Sequence, residues 1–345
     1  MSTISEGRHW SLVIRSLVIA KLMITTLVYR EHKLAEQNPP PDTLAAIRAE
    51  PATLLWVDLS DPSEKEIKEV LETAFGFHSL AIEDCVSDSP FPKLEPYDDY
   101  LYLVMHGVEC GEGGEFRMVE LDLFLGKNYL VTYHRVPLHS VNQALDRFKK
   151  APTLTVQGAD RFAYTILDNM VEGYRPALDA LRGEIERLEQ GVLESISANE
   201  LFPKVVALRK KLSRLRQIVR PQRQIALDLA QGKHRLIRSV VLPYLRDLSE
   251  ELARIESQTG IWSEQLILSF RIFLNKSSHE ANEGVRVLTG ITALSFPALV
   301  VAGWYGMNFT NMHELSAHHG YPVAAALTLS GTYAMWLFMR RRRWL

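Results

Sequence analysis

The sequence is poor in several features that would assign it to a common class of soluble protein. Its two cysteines, Cys85 and Cys110, lie far apart without a CxxC spacing, so a disulfide framework is not indicated and both are expected to be core residues in a reducing compartment. The formal net charge of −2 lacks the basic excess that nucleic-acid binding requires. GxGxxG, GKS/T and HExxH motifs are absent, and no constellation of nucleophile, base and orienting residue stands out. The sequence therefore predicts neither ATP hydrolysis nor another enzymatic activity.

What the sequence does contain is two long uncharged runs near its C-terminal end. No side chain is charged from Val287 to Met307 or from Tyr321 to Met339. About twenty apolar residues are needed to cross the hydrocarbon core of a bilayer as a helix, and Trp304 and Trp336 suit the membrane–water interface. The predicted segments are a first transmembrane helix over 284–308, an outer loop over 309–320 and a second transmembrane helix over 321–339.

The charges that flank these runs predict their orientation. Arg340–Arg343 follow the second run directly, and positive residues stay on the cytoplasmic side of a membrane. Two spans return the chain to the side where it began, so the basic tail over 340–345 and the long N-terminal part are both predicted to be cytoplasmic. The outer loop holds Glu314 and no lysine or arginine, which agrees with this orientation. The expected location is the cell (inner) membrane.

Residues 23–159 alternate strand and helix signals, and this alternation predicts an α/β cytoplasmic domain. Leu54–Leu59 is typical of a buried strand, and the Asp61-Pro62-Ser63-Glu64 segment predicts a helix start with Asp61 as the N-cap. That helix should end near Gly76. The other predicted strands are Met23–Tyr29, Tyr100–Val108, Val119–Leu125 and Tyr129–His134, with a hairpin at Gly126-Lys127-Asn128.

Residues 1–22 precede the first predicted strand. They include part of an apolar stretch, but Arg15 and Lys21 would each be costly at the centre of a membrane helix. We therefore expect a poorly ordered N-terminal extension there rather than a third span.

From 160 to 283 the pattern becomes helical and predicts a long stalk. Two sets of apolar residues recur at helical spacing: Leu178, Leu181, Ile185 and Leu188, and then Val205, Leu208, Leu212 and Leu215. Pro243 is the only proline between Val241 and Pro297, so one very long helix should run into the first span. Apolar seams on long helices are usually buried against neighbouring subunits, as in a coiled coil, and a monomeric helical bundle is the alternative.

The first span ends in Tyr305-Gly306-Met307-Asn308-Phe309. A Gly-Met-Asn triplet at the outward end of the first of two C-terminal spans is similar to the signature of CorA-type magnesium and cobalt transporters. The likeness extends over nearly the whole chain after residue 22. It includes Asn282-Glu283, Val287-Leu288-Thr289, Pro297, Met312-His313-Glu314-Leu315 and Gly320-Tyr321-Pro322.

The resemblance implies an architecture and an activity. The implied fold is an α+β cytoplasmic domain followed by long stalk helices and two C-terminal transmembrane helices, assembled with membrane lipid around it as a funnel-shaped homopentamer. The implied activity is passive, potential-driven passage of hydrated divalent cations, with Mg²⁺ foremost and Co²⁺ or Ni²⁺ also carried. No cofactor is expected beyond bound Mg²⁺ or other divalent cations, and no nucleic acid is expected as a partner.

The triplet Gly306, Met307 and Asn308 is the predicted selectivity filter. Mg²⁺ demands octahedral oxygen coordination and gives up its water reluctantly. A ring of Asn308 amide oxygens, one from each subunit, can accept hydrogen bonds from the water molecules bound to the ion, whereas a carboxylate ring would risk trapping it. Glu314 in the outer loop also favours magnesium. The alternative for Asn308 is a helix C-cap.

One face of the first span is predicted to line the pore, with Asn282 as a second polar ring at its cytoplasmic end. This face consists of Asn282, Val285, Leu288, Thr292, Phe296, Leu299 and Gly303. The alternative is that this face packs against the second span. Family members often carry methionine at the position of Phe296 and threonine at that of Leu299, so the pore is expected to be bulkier and less polar than usual.

The resemblance also implies regulatory metal sites in the cytoplasmic part. In the family, divalent ions bridge carboxylates of adjacent subunits and hold the channel closed when internal magnesium is plentiful. The matching residues are Asp84, with Glu83 beside it, and Asp247. Opposed carboxylates repel unless a divalent cation bridges them, so loss of the ion should loosen the interface.

Two rival functions remain open at this point. His313, His318 and His319 in the outer loop could collect transition metals, which would suit a zinc, cobalt or nickel transporter of the same superfamily. A membrane-tethered coiled-coil scaffold with no transport role is the other rival. The scaffold predicts that replacement of Asn308 by alanine is silent, whereas a channel should lose flux or selectivity.

Overall fold

The computed structural model describes residues 24–111, 116–150, 158–193, 198–307 and 319–342. The chain divides into two compact units. One comprises Met1–Gly191 and Ile196–Leu266, and the other comprises Val192–Ser195 and Ile267–Leu345.

A mixed sheet of seven strands forms the centre of the first unit. Its strands are β1 (Ile24–Arg30), β2 (Lys33–Gln37), β3 (Thr53–Ser60), β4 (Lys93–Pro96), β5 (Tyr100–Cys110), β6 (Phe116–Gly126) and β7 (Tyr129–His134), in the spatial order β2-β1-β3-β7-β6-β5-β4. β3 and β7 are parallel, and every other neighbouring pair is antiparallel. All the strands predicted from the sequence are confirmed, apart from Met23, which lies outside the described residues.

The hairpin predicted between β6 and β7 is also confirmed. Leu125 pairs with Leu130, so Lys127 and Asn128 make the connection. The Asn128 side chain donates to the carbonyl oxygens of Arg48 and Thr53 at 3.0 and 3.2 Å, which ties the hairpin to the start of β3.

Short helices connect the strands. They are α1 (Leu44–Ala49), α2 (Glu64–Ile67, continued as a π-helical segment Lys68–Ala74), α3 (Ser79–Val86) and α4 (His139–Lys150). The α2 segment ends before Gly76, whose φ of +63° is a backbone conformation that glycine adopts without strain, as predicted.

The predicted N-cap of α2 is wrong by two residues. Ser63, not Asp61, caps the helix: the Ser63 hydroxyl accepts from the Glu66 N–H, and the Glu66 carboxylate accepts from the Ser63 N–H at 2.8 Å. The Asp61 N–H is already bonded to the His134 carbonyl oxygen at 2.8 Å, so Glu64 cannot complete a capping box with it. Asp61 with Glu64 and Ser63 with Glu66 have the same spacing in sequence. The hydrogen bond from Asp61 to His134 at the end of β7 explains why the second pair forms the capping box.

Long helices complete the first unit and continue into the second. They are α5 (Ala159–Glu172), α6 (Tyr174–Leu193), α7 (Ala198–Leu229) and α8 (Leu242–Tyr305), which is 64 residues long. The two predicted sets of apolar residues lie on α6 and α7, which form a helical hairpin, since Lys211 on α7 donates to Glu184 on α6 at 2.7 Å. Of the eight apolar residues predicted to share its seams, seven are buried and Leu178 is half-buried. The long helix predicted to begin near Val241 is likewise confirmed as α8.

The second unit contains the end of α8 and the last helix, α9 (Gly320–Arg341). Both helices are long and apolar enough to cross a membrane. A methyl group built on Gly290 would lie 3.7 Å from Met339, and one built on Gly331 would lie 3.0 Å from Pro297. The residue numbers of the two contacts increase along α8, from 290 to 297, and decrease along α9, from 339 to 331. The two helices therefore pack antiparallel.

Candidate ion pathway and regulatory carboxylates

The face of α8 predicted to line a pore is exposed in the protomer. Val285, Leu288, Phe296 and Leu299 are all more than half exposed. The face that packs on α9 is a different one, formed by residues such as Gly290, Leu294, Pro297 and Val301. At about 100° per residue, the stretch of the predicted pore face from Val285 to Gly303 lies on the side of the helix opposite this packing face. The second span therefore does not cover it, and the alternative of a packing face against α9 does not describe this helix.

Thr292 supplies the one hydroxyl of the predicted pore face. Its hydroxyl donates to the Leu288 carbonyl oxygen at 2.9 Å. Because that bond uses the only hydroxyl hydrogen, the oxygen can only accept further hydrogen bonds. Water molecules bound to a metal cation are donors, so this position suits a hydrated cation.

The first span ends at the predicted filter. The Gly306 N–H donates to the Ala302 carbonyl oxygen at 2.8 Å, and α8 ends at Tyr305. A methyl group built on Gly306 would lie 2.8 Å from that same carbonyl oxygen, which explains why a glycine stands at this turn. Met307 follows it and is exposed. Asn308 and Glu314 lie outside the described residues, as do His313 and His318.

Asp84 lies on α3 and is paired within its own chain. The Lys93 ammonium group donates to the Asp84 carboxylate and, at 3.1 Å, to Glu95. Partial burial lowers the pKa of Lys93, but the hydrogen bonds to Asp84 and Glu95 outweigh this effect and raise the pKa above its usual value. A divalent ion at Asp84 would therefore compete with a lysine that stays charged. Glu83, beside it, is exposed.

Asp247 lies on α8 in an acidic environment. The carboxylates of Asp247, Glu172 and Glu251 all act on Asp168 of α5. Burial is the main cause that raises the pKa of Asp168, and these neighbouring carboxylates raise it further, while a hydrogen bond from Tyr164 lowers it. Asp247 itself is exposed. The surroundings of Asp247 therefore favour a cation.

The structure does not bring the predicted regulatory residues together within one chain. Asp84 faces Lys93, whereas Asp247 faces Asp168. Across the described parts of the chain, no three His, Cys, Asp or Glu side chains gather closely enough to hold a metal ion. A regulatory ion held by protein carboxylates alone would therefore need residues of a second subunit.

Sequence reasoning missed a cavity of about 460 Å³ in the first unit, beside β5, β6 and β7. Polar residues contribute much of its lining: Cys85, His106, Glu120, Asp122, His134 and Arg135. Cys85 is a free, buried thiol, and the side chain of Cys110 lies outside the described residues. The Tyr102 hydroxyl donates to the buried Asp122 carboxylate at 2.6 Å. A signal was present in the sequence, because Glu120 and Asp122 interrupt the apolar strand β6 two residues apart and so share one face.

Glu120 should make the stability of the protein depend on pH. Burial raises its pKa from 4.5 to about 7, although the Ser89 N–H bonded to it opposes the shift. Between about pH 4.5 and about pH 7 the folded state then binds more protons than the unfolded state, so stability falls as pH rises through this range. We expect thermal unfolding of the full chain, measured in detergent with EDTA, to show a shallower decline of Tm in Glu120→Gln than in wild type.

Glu69→Gln is the matched control for this prediction, because Glu69 lies on an exposed helix turn beside Lys65. It should leave the pH profile of wild type unchanged. Equal slopes in wild type and Glu120→Gln would contradict the assignment of the titration to Glu120.

Comparisons with known proteins agree with these observations. The sequence profile of a family described as "CorA-like Mg2+ transporter protein" matches residues 51–342. The chain is 25% identical over 296 residues to a cobalt/magnesium transport protein CorA of Thermotoga maritima, covering 85% of this chain and 84% of the relative. It is 26% identical over 323 residues to the putative metal ion transporter YfjQ of Bacillus subtilis, covering 92% and 97% of the two chains.

The fold is also similar to that of a solved structure. The complete structure of the CorA magnesium transporter from Methanocaldococcus jannaschii aligns with a TM-score of 0.78 at 20% identity. The alignment covers 94% of this chain and 99% of that one, so both units of the chain have counterparts in a single known fold.

Proposed function

The chain belongs to the CorA-like Mg²⁺ transporter family, whose profile covers residues 51–342, and we propose that it conducts hydrated divalent cations, Mg²⁺ foremost, passively through the cell membrane. A doubly charged ion gains about 4.6 kcal/mol per 100 mV of inside-negative potential, which is enough to drive uptake without ATP. Co²⁺ and Ni²⁺ are expected to pass by the same route.

The observation that carries the proposal is the exposed face of α8 opposite its contact with α9. This face carries Thr292, whose hydroxyl oxygen can accept hydrogen bonds from the water molecules of a hydrated ion, and it leads to Gly306 and Met307. Copies of the chain arranged around an axis would bring these faces together. We propose a homopentamer with the first span of each subunit lining the pore and with both termini in the cytoplasm.

Selectivity is proposed to come from Asn308, the residue that follows Met307. Amide oxygens from several subunits would accept hydrogen bonds from water bound to the ion, so that Mg²⁺ keeps the hydration shell it releases reluctantly. A neutral ring also binds weakly enough to let the ion leave.

Gating is proposed to come from the cytoplasmic carboxylates. A divalent ion bridging Asp84 and Asp247 of adjacent subunits would hold the closed state, and loss of the ion would leave like charges facing each other. The acidic surroundings of Asp247 support this role. Because Lys93 is ion-paired with Asp84, the site should bind a divalent ion less tightly than two unpaired carboxylates would.

Ion flux into proteoliposomes tests the proposed function. The purified protein is reconstituted with a Mg²⁺-sensitive dye inside and an imposed inside-negative potential. We expect potential-driven Mg²⁺ entry that falls at least about tenfold in Asn308→Ala, which corresponds to a barrier about 1.4 kcal/mol higher, while Asn142→Ala on α4 leaves it unchanged. Entry of Zn²⁺ alone would assign the protein to transition-metal transport. Entry of no ion would contradict the transport function and favour the membrane-tethered scaffold.

Removal of the lysine paired with Asp84 tests the gating proposal. Lys93→Gln keeps a polar side chain but frees the carboxylate for a divalent ion. Internal Mg²⁺ should then close the channel at a roughly fivefold lower concentration in the flux assay, a coupling of about 1 kcal/mol. Lys65→Gln, which breaks an exposed pair with Glu69, should have no effect. A higher closing concentration in Lys93→Gln would show that the lysine supports the closed state instead.

A further inference from the structure

Two buried polar atoms of residues that line the cavity beside β5, β6 and β7 have neither a hydrogen-bond partner nor an ion-pair partner among the described residues. These atoms are Nδ1 of His106 and Oε1 of Glu120; His134 Nε2 also makes no hydrogen bond there, but it lies 3.2 Å from the Asp58 carboxylate. His106 is 6% exposed, and both residues line the cavity. Because buried polar groups in native proteins are nearly always hydrogen-bonded, two such atoms in one cavity need an explanation.

The contacts of His106 establish what kind of atom its Nδ1 is. Its other ring nitrogen, Nε2, lies 3.0 Å from the Ser89 carbonyl oxygen, which can only accept. Nε2 therefore carries the hydrogen, and in the neutral ring Nδ1 presents a lone pair. Burial lowers the pKa of His106, which favours this neutral form. Nδ1 of the imidazole is therefore a buried acceptor that no donor among the described residues satisfies.

Glu120 offers a second acceptor next to the first. It pairs with His106 directly across β5 and β6, so the two Cβ atoms are about 5 Å apart on one face of the sheet. Its Oε2 accepts from the Ser89 N–H at 2.8 Å, which leaves Oε1 without a partner. The guanidinium group of Arg135, which lines the cavity, is already bonded to Asp88 and to the Val86 carbonyl oxygen.

The two unpartnered atoms, His106 Nδ1 and Glu120 Oε1, indicate which kind of ligand could bind here. An imidazole nitrogen beside a carboxylate oxygen suits a divalent transition metal, whereas Mg²⁺ and Ca²⁺ prefer oxygen alone. We propose that this cavity binds a divalent transition-metal cation such as Zn²⁺ or Co²⁺, with His106 Nδ1 and Glu120 Oε1 as its protein ligands. Water molecules complete the coordination, since no third metal-binding side chain among the described residues stands at ligand distance.

The site adjoins the segment that carries a predicted regulatory residue. Ser89 is held at its carbonyl oxygen by His106 and at its N–H by Glu120. Arg135 binds Asp88 and the Val86 carbonyl oxygen, just before Ser89 in sequence. Val86 is the last residue of α3, the helix that carries Asp84. A metal bound to His106 and Glu120 would tighten the hold on this segment. The proposal goes beyond transport, because binding here is measurable whether or not ions cross a membrane.

Calorimetric titration of the full chain in detergent with Zn²⁺, in excess Mg²⁺, tests the site. We expect His106→Gln and Glu120→Gln each to lose one binding equivalent per chain or to weaken it at least about tenfold. Glutamine at 106 can still donate to Ser89, and glutamine at 120 can still accept from it, so both variants keep these contacts. His139→Gln removes an imidazole at the start of α4 and should bind like wild type. Unchanged stoichiometry and affinity in both cavity variants would overturn the proposal.

A second measurement needs no variant. Crystals of the wild-type chain grown with Co²⁺ should show an anomalous peak at the cobalt edge about 2.0–2.2 Å from His106 Nδ1. Cobalt peaks found only elsewhere on the chain would overturn the assignment. Either result stands apart from the flux assay, so failure of this site and failure of the transport function can be told apart.

Discussion

Replacement of Asp160 by alanine should lower the free energy of unfolding of the first unit by about 3–5 kcal/mol. The Asp160 side chain is 1% exposed, and its two oxygens accept from the Arg238 backbone N–H at 2.9 Å and from the Arg238 guanidinium group at 2.5 and 3.0 Å. Its removal leaves the Arg238 guanidinium group, which is 34% exposed, and a backbone donor without their buried partner, and that costs more than the pair itself contributes. Chemical denaturation of the full chain in detergent, followed by tryptophan fluorescence and circular dichroism, measures the change.

Asp88→Ala provides the matched control, because it removes the same kind of ion pair from the surface. Asp88 is bonded to Arg135 at 2.7 Å, but its side chain is 83% exposed. Exposed pairs contribute about 0–1 kcal/mol, so this variant should unfold within about 1 kcal/mol of wild type. Equal losses in the two variants would show that burial does not decide the contribution of Asp160.

Replacement of Leu299 by alanine should raise Mg²⁺ flux about tenfold, which corresponds to about 1.4 kcal/mol in the barrier to passage. Leu299 is 65% exposed and lies opposite the contact between α8 and α9. On the proposed pore face, an apolar ring of this size resists the entry of a hydrated ion, and a smaller side chain lowers that resistance. The measurement is initial dye response in proteoliposomes at fixed potential and equal protein content.

Ile291→Ala is the control for the pore face, because Ile291 is 63% exposed on the same helix but points to a flank. The same loss of apolar volume there should leave flux within about twofold of wild type, a difference of about 0.4 kcal/mol. A rise in Ile291→Ala with none in Leu299→Ala would move the conducting face around the helix and contradict the assignment.

The elements of this fold could be predicted from the sequence because each carries a local signal. β3 and β7 are continuous apolar strands, Gly126–Asn128 has the residues of a tight hairpin, and α6 and α7 have apolar seams at helical spacing. The two spans were equally evident, because no charged residue interrupts either run. Local patterns of this kind depend on chain geometry and need no knowledge of distant partners.

Features that depend on distant contacts could not be predicted. Neither strand sequence indicates that β3 pairs with β7 in parallel. The hydrogen bond from Asp61 to His134 depends on that pairing, and because of it Ser63 rather than Asp61 is the N-cap of α2. The pairing of Asp84 with Lys93 follows from the position of β4. The cavity behind Glu120 likewise exists only after β5, β6 and β7 have assembled, although the two acidic residues on β6 gave a hint.

The parallel pairing of β3 with β7 also determines when the seven-stranded sheet can close during synthesis. Asp58 and Thr132, which face each other across this pair, are separated by 74 residues in sequence. At about 5–20 residues per second, the ribosome needs roughly 4–15 seconds to make that length. During this interval the edge of β3 that will face β7 has no strand to pair with, and an unpaired edge of this kind can pair with another chain. The first membrane span begins well after β7 in the chain, so the sheet can be complete before the membrane segment leaves the ribosome.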